Sequence, residues 1–348
     1  MLQYLAELEN VFGPLRLFKS HSFLILFGMY LAFITGYFLI PYFSKHLPRD
    51  RGKVLSVEGE KSAGKPTGAG IIFIIIFAVI SILTLKFDTE IYLIILLTII
   101  TMLTGYFDDR STNPWGEYKK AIIDLLLAII VSYVLYQFGN IQVWLPFTNK
   151  IMQWPWYIFI PVSTIIVWLS INTTNCSDGV DGLSSVLVLV GLITLGALMY
   201  IILGHIEISS YLLLPHLTDG AQWGIMIFIM AGSLVSYLWF NAYPSQVLMG
   251  DAGSRALGFF IGLCIIKTGN PFLYFVISTV LIVNGGTGLV KVAFLRFLNI
   301  RIFHNTRFPL HDHVRQNRNW SNTQVMIKFF IIQILITIGL SGIFLKIR

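Results

Sequence analysis

The chain has 348 residues, 56% of them hydrophobic and only 12% charged, with a mean hydropathy of +0.77. An average soluble domain carries about 25% charge, so a water-soluble globule of this size, a disordered regulator, a coiled coil and a disulfide-stapled secreted domain are all excluded. The formal net charge of +7 then belongs to loops at a membrane surface rather than to a nucleic-acid partner, and Cys176 and Cys264 offer neither a disulfide nor a metal pattern.

Residues 1–20 mix Leu, Val and Phe with charges and read as a short interfacial helix. Ten apolar stretches then predict membrane helices, near 22–43, 68–86, 90–107, 120–138, 155–171, 183–204, 222–240, 253–268, 271–296 and 325–346, since a hydrocarbon core about 30 Å thick takes roughly 20 residues. The first is too long for a signal-peptide core and is expected to be retained. Segment 140–147 alternates apolar and polar residues, which predicts a small hairpin. Trp154, Trp156 and Tyr157 beside it read as an interfacial aromatic belt. In the ninth stretch, VNGGTG (283–288) predicts either a loosened helix that opens a groove to lipid or close packing of small residues on a neighbour. With no internal repeat, one membrane domain over 1–348 is the economical reading.

Ten spans place the loops 44–67, 108–119, 172–182, 241–252 and 297–324 on one side of the bilayer. That side holds Lys45, Arg49, Arg51, Lys53, Lys61, Lys65, Arg110, Lys119, Arg301, Arg307, Arg315 and Arg318, whereas the loops opposite hold Lys150, with Lys86 and Lys267 at their margins. The positive-inside rule makes the first set cytoplasmic and puts both termini outside. The predicted class is thus an all-α polytopic integral membrane protein.

The acidic residues sort the same way. Asp108 and Asp109 end the third span (GYFDD, 105–109); Asp178 and Asp181 lie in NTTNCSDGVDG (172–182); Asp251 lies in NAYPSQVLMGDAGS (241–254); and PLHDH (309–313) brings His311, Asp312 and His313. Each alone reads equally as a solvated helix end or an N-cap. Together they gather carboxylates, amides and imidazoles from separate loops on one membrane face. Asp88, Glu90, Glu207 and Asp219, on the far face, are not in such a Gly/Asn-rich setting. Several Asp carboxylates suit Mg²⁺, which prefers hard oxygen ligands and is usually held by one or two carboxylates plus substrate phosphates. Gly179, Gly182, Gly250 and Gly253 would let backbone amides approach a phosphate, and Lys61, Lys65, Lys119, Lys120 and the two histidines would supply positive or donor groups. Zinc is disfavoured because His311 and His313 lack a third soft ligand nearby, and no P-loop or Rossmann fingerprint is present. The pattern points to phosphoryl chemistry at the cytoplasmic membrane surface, with one polar and one lipid-embedded substrate.

With these motifs, and PTGAG (66–70) ahead of them, the whole chain resembles the polyprenyl-phosphate N-acetylhexosamine-1-phosphate transferases, and among them the phospho-N-acetylmuramoyl-pentapeptide transferases of peptidoglycan synthesis. The resemblance implies a multi-pass enzyme of the bacterial plasma membrane, dependent on Mg²⁺ and homodimeric, that joins UDP-MurNAc-pentapeptide to undecaprenyl phosphate to give lipid I and UMP. By matched position it makes Asp108 the base or orienter for the lipid phosphate, with Asp109 beside it, and Asp251 the principal Mg²⁺ ligand. It assigns Lys120, Asn172, Asn175, Asp178, Asp181 and Asn241 to the nucleotide-sugar site, and His311 and His313 to the diphosphate region, with Lys61 counted among the substrate-binding residues for its positive charge. Four positions depart from the family pattern: Asp312 stands inside a usual three-histidine run, PTGAG replaces Pro-Thr-Met-Gly-Gly, Lys291 stands where Gln is common, and Leu248 where Phe is common. Lys291 and Leu248 thereby bear on substrate binding. Direct attack and a two-step route through an enzyme adduct both fit these residues. A sister transferase moving GlcNAc-1-phosphate for teichoic acid or O-antigen is the competing enzyme reading. A secondary transporter is the competing class, although transporter sites lie near the membrane midplane and these acids lie at span ends.

Overall fold

The computed structural model describes residues 2–52, 62–146, 148 and 150–346. Its helices are α1 (Leu2–Leu5), α2 (His21–Ser44), α3 (Gly70–Thr84), α4 (Thr89–Arg110), α5 (Glu117–Phe138), α6 (Trp156–Ser177), α7 (Leu183–Ala197), α8 (Ile206–Tyr211), α9 (Gly220–Asn241), α10 (Gly250–Lys267), α11 (Leu273–Ile277), α12 (Thr279–Leu281), α13 (Thr287–Leu298), α14 (Leu310–Arg318) and α15 (Asn322–Lys346). A π-helical turn, Leu198–Leu203, extends α7, and another, Ile282–Gly286, joins α12 to α13.

Among the described residues, eight helical stretches are long and apolar enough to cross a membrane. The protein is an all-α polytopic membrane protein. The two remaining predicted stretches form α3, which has 15 residues and so runs only about 22 Å, and α10, whose 18 residues include Asp251, Arg255 and Lys267.

Helix α10 is the axis of the bundle. It packs on α6, α4, α3 and α7, and every residue from Ala252 to Lys267 is buried, the condition that lets a helix be apolar on all sides. Its contact with α6 depends on small residues: a Cβ at Gly258 would run into the backbone of Ser170 and Ile171, and one at Gly262 into Val167. Ser170 Oγ donates to Gly258 O at 2.7 Å across this seam. Close backbone approach of this kind substitutes for the hydrophobic driving force that lipid removes.

The charges on α10 are paired, as ionisable groups in a bundle interior must be. Arg255 meets Asp124 of α5 at 2.5 Å. At the opposite end, Lys267 Nζ lies 2.8 Å from Glu90 and 2.8 Å from Asp219, and 5.1 Å from the Trp223 ring centroid. So Glu90 and Asp219, unremarkable far-face acids by sequence, belong to a cluster around the buried Lys267 that ties α4, α9 and α10 together.

Three local expectations are refined. Residues 1–20 do not form one helix: α1 is followed by 3₁₀ segments Ala6–Asn10 and Gly13–Lys19, the second opening on Gly13 and Pro14, residues that disfavour a continuous helix. The hairpin begins inside 140–147 and extends past it, with β1 (Val143–Trp144) antiparallel to β2 (Ile151–Met152) and Trp144 Nε1 donating to Thr268 O at 2.8 Å. In the ninth stretch both readings have a counterpart. The NGG run lies in the π turn, a common cause of kinks, while a Cβ at Gly285 would meet Thr173 O at 2.7 Å.

Candidate active site

Five helix ends converge at one end of the bundle. The C-terminal turn of α4 supplies Asp108 and Asp109, the first turn of α5 supplies Lys120, and the first turn of α10 supplies Asp251. The segments after α6 and α9 bring Asp178, Asp181 and residues 242–249. They enclose a cavity of about 530 Å³ whose lining includes Asp108, Asp109, Asn175, Asp178, Asp181 and Asp251.

Lys120 is the electrostatic centre. Its ammonium contacts Asp108 Oδ2 and lies 2.8 Å from Asp251 Oδ2. Asp108 Oδ1 also accepts the Trp115 backbone N–H at 2.6 Å, which fixes the rotamer of a side chain only 5% exposed. One cation thus serves two carboxylates, leaving excess negative charge at the cavity wall. That arrangement attracts a further cation more readily than a bare anion.

Asp109 plays a different part. Its Oδ1 accepts Asp251 N–H and its Oδ2 accepts Ala252 N–H, both at 3.0 Å. A carboxylate there satisfies backbone donors that the first turn of any helix leaves open, and complements the positive end of the helix dipole. The fit demands glycine at 250: its φ is +65°, and a Cβ would collide with the Asp109 carboxylate and the Gly68 N–H. Asp109 therefore positions Asp251 through the backbone.

The neighbouring loops are pinned by their own polar side chains. Asn241 is 4% exposed; its Oδ1 accepts Gly182 N–H and its Nδ2 donates to Val247 O, both at 2.9 Å. Asp181 accepts Ser245 N–H at 3.1 Å and Ser245 Oγ–H at 2.8 Å, and Lys65 Nζ donates to that same hydroxyl at 2.9 Å. Asp178 accepts Ser184 Oγ–H at 2.8 Å, and Asn175 Oδ1 accepts Ser254 Oγ–H at 3.0 Å. Leu248, half-buried on the cavity wall, exchanges backbone hydrogen bonds with Pro66 and Ala69, at 2.8 and 3.0 Å. Replacing Asn241 with Leu strips partners from two buried backbone groups, at about 1–3 kcal/mol each. Thermal unfolding in detergent is expected to show a loss of about 2–6 kcal/mol; an unchanged Tm with weakened nucleotide-sugar binding would instead give the amide to the substrate.

Other predicted residues lie further out. Lys61 falls outside the described residues. Asn172 donates to Trp168 O at 2.8 Å within α6 and does not line the cavity. Lys291 donates to Phe303 O at 3.0 Å and Thr306 O at 2.8 Å, organising the loop after α13 rather than the cavity wall. His311 is 2% exposed, its N–H donates to Asn284 Oδ1 at 2.9 Å, and it backs Gly179, where a Cβ would strike its ring. His313 Nδ1 accepts Arg307 N–H at 3.3 Å. The histidines thus stand behind the lining rather than in it. Asp312 is buried, 3.4 Å from Arg315 Nη1 and 3.9 Å from His311 Nε2, the latter too long for a hydrogen bond.

The lining also includes Arg49, Arg51, Ser62, Tyr243, Arg315 and Asn322, none of which the motifs singled out as site residues. Arg51 reaches Ser111 O at 3.0 Å and Thr112 O, closing the segment before residue 53 over the end of α4. The basic bias of the loops is the signal that could have marked these arginines.

The profile of Glycosyl transferase family 4 matches residues 91–269, the stretch from α4 through α10 that carries all but the flanking parts of this site. Phospho-N-acetylmuramoyl-pentapeptide-transferase of Treponema pallidum (strain Nichols) is 46% identical over 351 residues, covering 100% of this chain and 97% of that protein. The proteins of the same name from Nautilia profundicola and Campylobacter curvus are 31% and 29% identical, covering 100% and 96% of this chain and 100% and 97% of their own lengths. The chain belongs to Glycosyl transferase family 4 and, within it, to the phospho-N-acetylmuramoyl-pentapeptide-transferases.

Proposed function

We propose that this protein transfers phospho-MurNAc-pentapeptide from UDP-MurNAc-pentapeptide to undecaprenyl phosphate, releasing UMP and leaving lipid I in the bacterial plasma membrane. The observation that carries the reading is Lys120 held between Asp108 and Asp251, two carboxylates that line a polar cavity. Phosphoryl transfer asks the protein mainly for alignment and charge neutralisation, and this is the inventory present. The proposed topology has ten spans forming one domain, with both termini outside, the site facing the cytoplasm, and two copies assembling as a dimer.

In the proposed reaction an oxygen of the lipid phosphate attacks the β-phosphorus of the nucleotide sugar. The bond from that phosphorus to the oxygen shared with the α-phosphorus breaks, and UMP departs with the electron pair. Asp108 orients the lipid phosphate and accepts its remaining proton. Lys120 supplies positive charge to the pentavalent centre, and Asp109 keeps Asp251 in place. Asn175, Asp178, Asp181 and Leu248 face the nucleotide sugar. Asn241, His311 and His313 hold the surrounding loops in shape, and Asn172 bonds within α6 behind them.

Mg²⁺ is the proposed cofactor, with Asp251 its ligand. The donor set fits: the carboxylate is a hard oxygen donor at the cavity wall. Among the described residues no group of three or more carboxylate, imidazole or thiolate side chains forms a cage of its own, which suits an ion that completes its shell with water and substrate phosphates. When bound, such an ion neutralises the diphosphate of the nucleotide sugar.

Leu248 offers apolar contact to a base without a π-face, and base–aromatic stacking contributes about 1–3 kcal/mol. Because the uracil is remote from the reacting phosphorus, Leu248→Phe is expected to lower KM for the UDP-sugar roughly tenfold with kcat little changed. A lowered Tm with unchanged KM would show an overfilled wall instead.

The substrate is tested by supplying purified protein and undecaprenyl phosphate with UDP-MurNAc-pentapeptide or UDP-GlcNAc and following UMP release. Release with the first alone is expected. Release with UDP-GlcNAc alone would move the protein to the sister activity, which the 46% identity disfavours.

A further inference from the structure

One charged pair beside the site has no part in the chemistry above. Lys120 and Asp124 are one turn apart on α5, and Asp251 and Arg255 are one turn apart on α10. Residues spaced i, i+4 share a helix face, so the two helices meet as parallel neighbours through two successive rungs. The upper rung joins Lys120 to Asp251 at 2.8 Å. The lower joins Asp124 to Arg255, with Arg255 Nε 3.1 Å and Nη2 2.5 Å from Asp124 Oδ1. The polarity alternates: positive over negative on α5, negative over positive on α10.

The lower rung is sealed from solvent, with Arg255 0% and Asp124 2% exposed. Among the described residues Arg255 Nη1 has no hydrogen-bond partner, so the carboxylate does not satisfy the whole guanidinium. A buried pair of this kind is weak evidence of a contribution to stability, because well-packed apolar side chains commonly serve as well or better. What apolar side chains would not reproduce is the permanent positive charge one turn beneath Asp251, in a medium where charge is poorly screened.

We propose that Asp124 and Arg255 are positioning residues for phosphoryl transfer. They set the level at which α5 meets α10, so that Lys120 reaches both Asp108 and Asp251, and Arg255 balances Asp251 when the substrate's phosphates draw Lys120 away from it. This rests on the assignment of Asp251 and Lys120 to the reaction.

The test uses the full-length enzyme in detergent with UDP-MurNAc-pentapeptide and undecaprenyl phosphate. The apolar double variant Asp124→Leu/Arg255→Leu is expected to keep its Tm and its KM for the UDP-sugar within twofold while kcat falls at least tenfold. The exchanged variant Asp124→Arg/Arg255→Asp retains a pair but reverses its polarity, and its kcat is expected to fall about a hundredfold. A purely structural pin would accept either change, so wild-type kcat in either folded variant overturns the proposal. If the apolar variant does not fold, kcat of the exchanged one decides on the same terms. Asp251→Asn, run alongside, separates the positioning role from the assignment beneath it. An active Asp251→Asn enzyme removes that assignment, whereas an inactive one beside a fully active double variant removes only the positioning role.

Discussion

Asp251→Asn is expected to lower kcat by about a thousandfold, on the order of 4 kcal/mol of transition-state stabilisation, with Tm almost unchanged. The fold should survive because Asp109 holds this position through the Asp251 backbone N–H, which the substitution leaves in place, and because Lys120 keeps Asp108 as its counter-ion. What is lost is one negative charge at the cavity wall, and with it the proposed hold on Mg²⁺. A mutant that regains the wild-type rate in excess Mg²⁺ would show a weakened but replaceable ligand. Full activity at ordinary Mg²⁺ would remove Asp251 from the metal altogether.

Asp108→Asn is expected to lower kcat by about 10²–10⁴, the range for loss of a general base, with KM for the UDP-sugar within about threefold. An Asn Oδ1 can still accept the Trp115 N–H, so the local geometry should persist. The expected split follows from the partner: Asp108 is assigned to the lipid phosphate, so ground-state binding of the nucleotide should change little. A mutant with normal kcat and poor UDP-sugar binding would move Asp108 into the nucleotide site. A phospho-sugar adduct trapped on Asp108 would establish a two-step route.

The carboxylates at the centre of the site, Asp108, Asp109 and Asp251, were legible in the sequence because each sits in a local motif with glycine at the end of an apolar run. GYFDD and MGDAGS are visible without knowing which helices touch. The sequence also marked the loops that converge on the cavity, and its loosened-helix reading of 283–288, one of two, overlaps the π turn at Ile282–Gly286.

Tertiary pairing was less legible. Lys120 could be attached to the nucleotide-sugar site only by matched position, whereas its neighbours are the two carboxylates. Asn241 carries the look of a binding amide, yet both its ends are spent on the backbones of Gly182 and Val247. The Asp124–Arg255 and Glu90–Lys267–Asp219 contacts join residues far apart in sequence, so nothing in the local pattern of α4, α5, α9 or α10 announces them. Lys291 shows the same limit: its partners are backbone carbonyls of a loop with no regular periodicity. Buried polar groups reveal their partners only once the helices are placed.

In the proposed reaction a phosphosugar, and not a nucleotide or a free sugar, moves to the lipid. Two preparations of UDP-MurNAc-pentapeptide, one with ³²P in the α-phosphate and one with it in the β-phosphate, decide this when each is incubated with the purified protein, Mg²⁺ and undecaprenyl phosphate. The β label is predicted to enter the lipid fraction and the α label to leave as UMP, with both transfers lost in Asp251→Asn. Label from the α-phosphate in the lipid, or lipid-linked sugar carrying neither label, would rule out phosphosugar transfer.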